Sequence, residues 1–421
     1  MLRLKGRALA GFVVIAAAAN AQTSLNWEQI RERFRSNNPT LRAARLNIDE
    51  SQAQEVTAYL RPNPEVGLLT DGTQLVPQQG VWRPFQGTVL EFTASYLHER
   101  QHKRELRRDT ARESTAIAQS QYADQERNLI FNLRSAFVQT LQAKAVLQNA
   151  RENLDYWDHE LDVNRTRFQA GGLARVDLSR LELQRIQFES DFETAMVNLR
   201  TAKIQLLMLL NDHTPIEQFD VAGPFDFAEE LKPLEDFRKA ALETRPDLKA
   251  AEQNIQLAKL NHQLAISNGS TDPTWSAWYS KNPSFNNPLD QHTIGVSVVI
   301  PLRIFDRNQG EKARTQVDIG RNERLRDANE AQVFSDVDSA YWTLVQNVNL
   351  LKPYKTKYLP YATEVRDTVS FSYQNGAASL LDLLDAEKAY RDTRLAYLNM
   401  LGAYLTAAAQ MNMAAGQEVV Q

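Results

Sequence analysis

From Arg100 to Gln169 the chain contains neither glycine nor proline, and this stretch limits the available folds more than any other feature. Leu129, Leu133, Phe137 and Leu141 recur four residues apart along it, the spacing of one helical face. At 1.5 Å per residue such a helix is a rod of roughly 100 Å, longer than a compact domain accommodates. It is too polar to cross a membrane, so it is expected to pack lengthwise against other helices in coiled-coil fashion. A matching helix is predicted from about Asp306 to Gln374. It contains Pro353 and Pro360, each of which removes a backbone hydrogen bond and should kink or break it.

The chain also repeats itself. Pro39-Thr40-Leu41-Arg42-Ala43-Ala44-Arg45-Leu46-Asn47-Ile48 aligns with Pro246-Asp247-Leu248-Lys249-Ala250-Ala251-Glu252-Gln253-Asn254-Ile255, with six identities in ten. Ser135-Ala136-Phe137 answers Ser339-Ala340-Tyr341, and Phe168-Gln169-Ala170-Gly171 answers Tyr373-Gln374-Asn375-Gly376. All three pairs share an offset of about 205 residues, the mark of a tandem duplication. The expected organisation is a first repeat over 22–232 and a second over 233–421. In the first repeat a helix starting at Pro39, with Asn38 as its N-cap, precedes a strand pair at about 64–97. A long helix at about 100–169 and a return helix at about 175–210 complete it. The second repeat has a helix, a strand pair at about 274–302, a long helix at about 306–374 and a return helix at about 379–413. Turn chemistry separates the strands: Asp71-Gly72, Pro77, Gly80 and Pro84 in the first repeat, Asn282 to Pro288 in the second.

The N-terminus carries an address. Arg3, Lys5 and Arg7 precede an apolar run from Ala8 to Ala19, and Ala19-Asn20-Ala21 supplies small residues for cleavage before Gln22. Residues 1–21 are expected to be a removed signal peptide. In an exported chain, four strands of up to about ten residues approach the length that crosses a bilayer as tilted β-structure. Only closed barrels are tolerated there, and the smallest have eight strands. Four strands must therefore recruit others from further copies, or else form soluble hairpins.

The twofold repeat, the Leu60-Arg61-Pro62-Asn63-Pro64-Glu65 stretch, the Gly295-Val296-Ser297-Val298-Val299-Ile300-Pro301-Leu302 strand and the Leu380-Leu381-Asp382-Leu383-Leu384-Asp385-Ala386 turn together resemble the TolC-type outer membrane efflux protein family. The resemblance covers essentially the whole chain after residue 21. It implies a mainly α fold with a small β part, in which a homotrimer pools four strands per chain into a 12-stranded outer-membrane barrel above a long periplasmic α-helical barrel. The implied partners are a periplasmic adaptor (membrane fusion protein), an inner-membrane pump of the resistance–nodulation–division type and outer membrane lipid. The Arg-Pro-Asn-Pro-Glu stretch is similar to the CzcC-like heavy-metal/resistance–nodulation–division branch, which serves divalent-cation and multidrug exporters. Residue by residue, Asp382 and Asp385 match the acidic pair that rings the channel entrance, and Asp177 and Tyr373 match positions whose hydrogen bonds hold it closed. Gly171, Gly172, Leu173, Gly376, Ala377 and Ala378 match the tips that meet the adaptor. Where family members place an arginine before the acidic turn this chain has Ala378, and Arg175 or Arg180 is a candidate substitute. Residues three apart share a helical face, so both carboxylates can point into one lumen and favour cations.

Enzymatic chemistry finds no support. There is no glycine-rich phosphate loop, no Gly-x-Ser-x-Gly elbow and no His-Glu-x-x-His pattern. His98 and His102 are spaced for a shared metal but lack further ligands at suitable spacing, and His159, His213, His262 and His292 are scattered. No metal or cofactor is expected. With 48 Lys and Arg against 52 Asp and Glu, a net charge of −4 gives no footprint for nucleic acid. The absence of Cys excludes disulfides, thiolate metal sites and a Cys nucleophile. Two functions remain: a passive export duct, or a non-conducting periplasmic helical scaffold whose strands form a soluble β-domain.

Overall fold

The computed structural model describes residues 24–283 and 291–420. The signal peptide expected at 1–21 and most of the Asn282–Pro288 loop lie outside the described residues. The chain divides into two compact units, one formed by residues up to Asn38 with Leu133–Phe227 and Leu350–Thr406, the other by Pro39–Asn132, Ala228–Asn349 and the residues from Ala407.

Helices dominate both. In chain order they are α1 (Trp27–Asn37), α2 (Pro39–Ala58), α3 (Lys103–Gln169), α4 (Arg175–Leu210), α5 (Leu234–Thr244), α6 (Pro246–Asn268), α7 (Gln309–Pro353), α8 (Leu359–Gln374) and α9 (Leu380–Ala415). The glycine- and proline-free stretch is α3, a single helix of 67 residues. The second long helix changes character where its prolines lie: Tyr354–Tyr358, between α7 and α8, is a π-helical turn. A widened turn absorbs the missing proline donors without ending the helical path.

Two short helices depart from the expected pattern. The expected first helix at Pro39 is preceded by α1, and α6 is likewise preceded by α5. Asn38 is the C-cap of α1 rather than only the start of α2: its N–H bonds to Phe34 O, and its side-chain amide donates to Leu209 O at 3.0 Å. Both breaks occur at a residue before proline, Asn38 and Arg245, each held extended near φ −65°, ψ 120° because the proline ring disfavours helix at the preceding residue. A capping box between Asn26 and Gln29 starts α1.

In the first unit, Ile30 and Phe34 of α1 are buried, as are Leu133, Phe137 and Leu141 of the predicted α3 stripe, Leu206 and Leu210 of α4, and Tyr404. A two-residue parallel pairing of β1 (Ser24–Leu25) with β4 (Asp220–Val221) lies in the same unit. The Lys144 and Lys203 ammonium groups lie 2.5 and 3.3 Å from Asp220.

The second unit holds a four-stranded antiparallel sheet in the order β2 (Glu65–Asp71), β3 (Val89–Leu97), β5 (Thr274–Lys281), β6 (His292–Val299). At its root the buried Lys103, first residue of α3, reaches Asp272 at 2.5 Å and Ser270 O at 3.1 Å, tying β3 to the start of β5. The helical core of this unit includes Phe237, Ala241, Leu248, Val333, Val337 and Met411. Arg245, also buried, pairs with Asp247 at 2.5 Å and Asp336 at 2.9 Å.

Candidate functional site: an open-edged sheet and paired helical turns

The sheet register gives its two faces different characters. Because Val66 faces Ala94, Ala94 faces Ala277 and Ala277 faces Val296, alternation places Val66 and Leu68, Leu90 and Phe92, Trp275 and Tyr279, and Ile294, Val296 and Val298 on one face. The opposite face carries Glu91, Thr93, Ser95, Ser276, Ser280, Thr293 and Ser297, with Leu69, Val89, Leu97, Trp278 and Val299 among them. In a water-soluble sheet the apolar face packs on a core. Here the apolar face is the outward one, with Ile294 and Val296 more than 80% exposed. Trp275 lies directly across from Tyr96, and further along the sheet the Tyr279 hydroxyl meets His292 Nδ1 at 2.7 Å. Aromatic residues at two levels of an apolar band match the girdles of membrane barrels. Strands of seven to nine residues are close to the span of a tilted transmembrane strand. Among the described residues, β2 and β6 each pair on one side only.

On the polar face, Trp278 lies across Gly295. A Cβ there would sit 2.2 Å from the indole ring, so the residue facing Trp278 must lack a side chain. Gly295→Ala is expected to displace Trp278 and cost about 1–3 kcal/mol by overpacking. Its mark is a thermal midpoint several degrees lower in detergent; an unchanged midpoint would mean that the ring relocates freely.

The second candidate surface is a pair of matching turns in the first unit. After α3, Gly171 adopts φ +78°, its N–H bonds to Phe168 O, and Gly172 N–H bonds back to Arg167 O at 2.8 Å. After α8, Gly376 adopts φ +76°, and Ala377 N–H bonds to Ser372 O at 2.8 Å. Both turns are glycine-terminated Schellman closures, where a left-handed residue is needed. Gly171, Gly172, Gly376 and Ala377 are exposed, whereas Leu173 and Ala378 are half-buried against a cluster of Trp157, Leu161, Leu181, Phe188, Leu380 and Leu383.

Asp382 and Asp385 are both exposed on the first turns of α9. Asp382 also caps that helix: its Oδ2 accepts from Ser379 N–H at 2.9 Å and from Ser379 Oγ–H at 2.7 Å, while Asp382 N–H donates to Ser379 Oγ. These bonds hold the Asp382 carboxyl below the usual range. Asp177 lies 3.5 Å from Arg180, one turn along α4. Tyr373 belongs to the buried cluster, and its hydroxyl donates to Asn164 Oδ1 at 2.9 Å with the Arg167 guanidinium over its ring. Its hydrogen-bond partner is on α3, and Asp177 of α4 is near enough to act on the phenol electrostatically.

One group was not legible as special. Acidic residues on long helices are expected on solvated faces, yet Glu160 of α3 is 2% exposed and Glu387 of α9 is 6% exposed. Gln374 donates to Glu160 Oε1 at 3.0 Å, and Tyr156 meets Ser370 Oγ at 3.2 Å beside them. Composition alone does not distinguish these carboxylates from their many exposed neighbours.

The fold is that of outer membrane channels: the open state of the Neisseria gonorrhoeae MtrE outer membrane channel matches with a TM-score of 0.74 at 17% identity, over 93% of this chain and 89% of that one. The model of the outer membrane efflux protein family matches residues 30–212 and again 237–417. The chain belongs to that family. Among its relatives, the cobalt-zinc-cadmium resistance protein CzcC of Cupriavidus metallidurans is 24% identical over 383 residues, covering 90% of this chain and 87% of that one. Outer membrane protein TolC of Escherichia coli is 24% identical over 407 residues, 91% and 79% of the two chains. The family is one of outer membrane efflux proteins, not of enzymes. No helix among the described residues is long and apolar enough to cross a membrane.

Proposed function

We propose that three copies of this chain join their sheets, β6 of one beside β2 of the next, into a 12-stranded barrel in the outer membrane, with the helices forming a duct in the periplasm. The carrying observation is a sheet with an exposed apolar face and two open edges. In lipid every unpaired backbone donor and acceptor is costly, and four strands cannot close alone. In this reading residues 1–21 direct export and are removed, the two repeats 22–232 and 233–421 each supply two strands and a helical hairpin, and the duct conducts passively. A periplasmic adaptor meets the tips at Gly171 to Leu173 and Gly376 to Ala378, and an inner-membrane pump of the resistance–nodulation–division type supplies the energy. Similarity to a cobalt-zinc-cadmium resistance protein supports divalent cations as cargo.

Asp382 and Asp385 form the entrance ring, six carboxylates in a trimer, with Asp177 and Tyr373 stiffening the hairpins behind it. In planar bilayers the purified protein is expected to conduct and to prefer cations, and Asp382→Ala with Asp385→Ala to lower the cation-to-anion permeability ratio several-fold. An unchanged ratio removes the ring from those residues. Recovery of the protein in the soluble periplasm without detergent would sink the duct altogether and leave the helical scaffold.

A further inference from the structure

Glu160 and Glu387 are both more than nine-tenths buried, and each has one carboxyl oxygen, Glu160 Oε2 and Glu387 Oε1, sealed from solvent without a hydrogen-bond partner. Charged carboxylates are not left this way unless a proton or cation compensates. Three helices of the first unit meet around them. From α3 come Tyr156 and Glu160, from α8 come Arg366, Asp367, Ser370 and Tyr373, and from α9 come Glu387 and Tyr390. On the α4 side the charged pair is Asp191 with Arg391 at 3.5 Å. Arg366 is the cation that acts on Glu387, and it is already engaged: it bonds Asp367 at 2.7 and 2.9 Å and stacks on Tyr390 at 4.0 Å. Glu387 therefore shares its nearby cation with Asp367, while on the α3 side the Arg167 guanidinium lies over the Tyr373 ring.

We propose that Glu160 and Glu387 form a proton-binding site between α3, α8 and α9, whose bound proton clamps the start of α9 in place and whose loss loosens it. A protonated carboxyl brings a donor of its own between the two groups, whereas two ionised carboxylates would repel in a poorly solvated space. Glu387 lies on the same helix as Asp382 and Asp385, one turn beyond the cap. The π-helical turn at the head of α8 offers a joint. Loosening at this point would act on the paired turns; that consequence rests on the duct reading, while the site itself does not.

Burial pushes the Glu387 carboxyl up to about 7, with Glu160 adding to the rise and Tyr156 and Arg366 opposing it. A raised carboxyl means that the clamped arrangement holds a proton which the loosened one releases. Clamping is therefore complete below the ordinary glutamate range and weakens as pH rises towards about 7, by roughly 300-fold in the clamped-to-loosened ratio.

Hydrogen exchange of the full-length protein in detergent, followed by mass spectrometry from pH 5.5 to 8 and corrected for intrinsic amide chemistry, tests this. Opening of the amides over residues 380–392 is expected to increase at least tenfold across that range in the wild type. It should stay low and flat in Glu387→Gln and rise less in Glu160→Gln. A flat wild-type profile, or a Glu387→Gln profile equal to the wild type, would overturn the site. Bilayer recordings over the same range separate the two readings: exchange that responds to pH in a protein that never conducts leaves the proton site standing and removes the duct.

Discussion

Val296→Lys is expected to remove most of the protein from the outer-membrane fraction. Val296 is near the middle of β6, is 81% exposed and stands in one row with Ala277, Ala94 and Val66. A lysine on the lipid face near the bilayer midplane costs about 2–4 kcal/mol, and a trimer would incur it in every copy. Ser297→Lys is the matched control. It adds the same charge one residue away but on the polar face, where water solvates it, and insertion should persist. Density-gradient separation of membranes with extraction by detergent reads both. Equal recovery of the two variants in the membrane would mean that the apolar face does not meet lipid.

Trp157→Ala is expected to unlatch the helical turns. Trp157 is fully buried, its Nε1–H donates to Leu181 O at 3.0 Å, and its ring lies 5.2 Å from Phe188. Removing it opens a cavity among Leu161, Leu181, Leu380 and Leu383, at a cost of about 3–5 kcal/mol, and takes away the indole hydrogen bond to a carbonyl that the α4 ladder still engages. The damage should be local to the first unit. Limited proteolysis is expected to cut the variant near Gly171 and Gly376 under conditions that spare the wild type, while Trp157→Phe, which keeps most of the packing, should resist nearly as well. Turns as resistant in the alanine variant as in the wild type would show that the cluster does not hold them.

The local grammar of this chain is written openly. A stretch without glycine or proline becomes one long helix, because nothing along α3 interrupts its hydrogen bonds. Gly171 and Gly376 stop helices because only they accept a left-handed backbone cheaply. Alternation in β3 and β6 marks strands, because side chains on a strand point to opposite sides. The mainly helical class with a small sheet, and the efflux protein family, both follow from patterns of this kind. Two short helices, α1 and α5, carry a weaker mark, since each is amphipathic over only a few turns and ends at a residue before proline, a position that equally suits a helix start.

Other properties depend on which segments become neighbours. Whether an apolar strand face is buried or bare is decided by the absence, among the described residues, of a layer over Val66, Phe92, Trp275 and Val296, and no periodicity encodes that absence. Asp382 and Glu387 look alike in the chain, both acidic residues near the start of one helix. Position on the helix made the first a solvated cap, while the approach of α3 and α8 buried the second and shifted its affinity for a proton. Helix, strand and turn are short-range properties carried by neighbours in sequence. Burial, ionisation and open edges belong to contacts between residues hundreds of positions apart, and only folding supplies them.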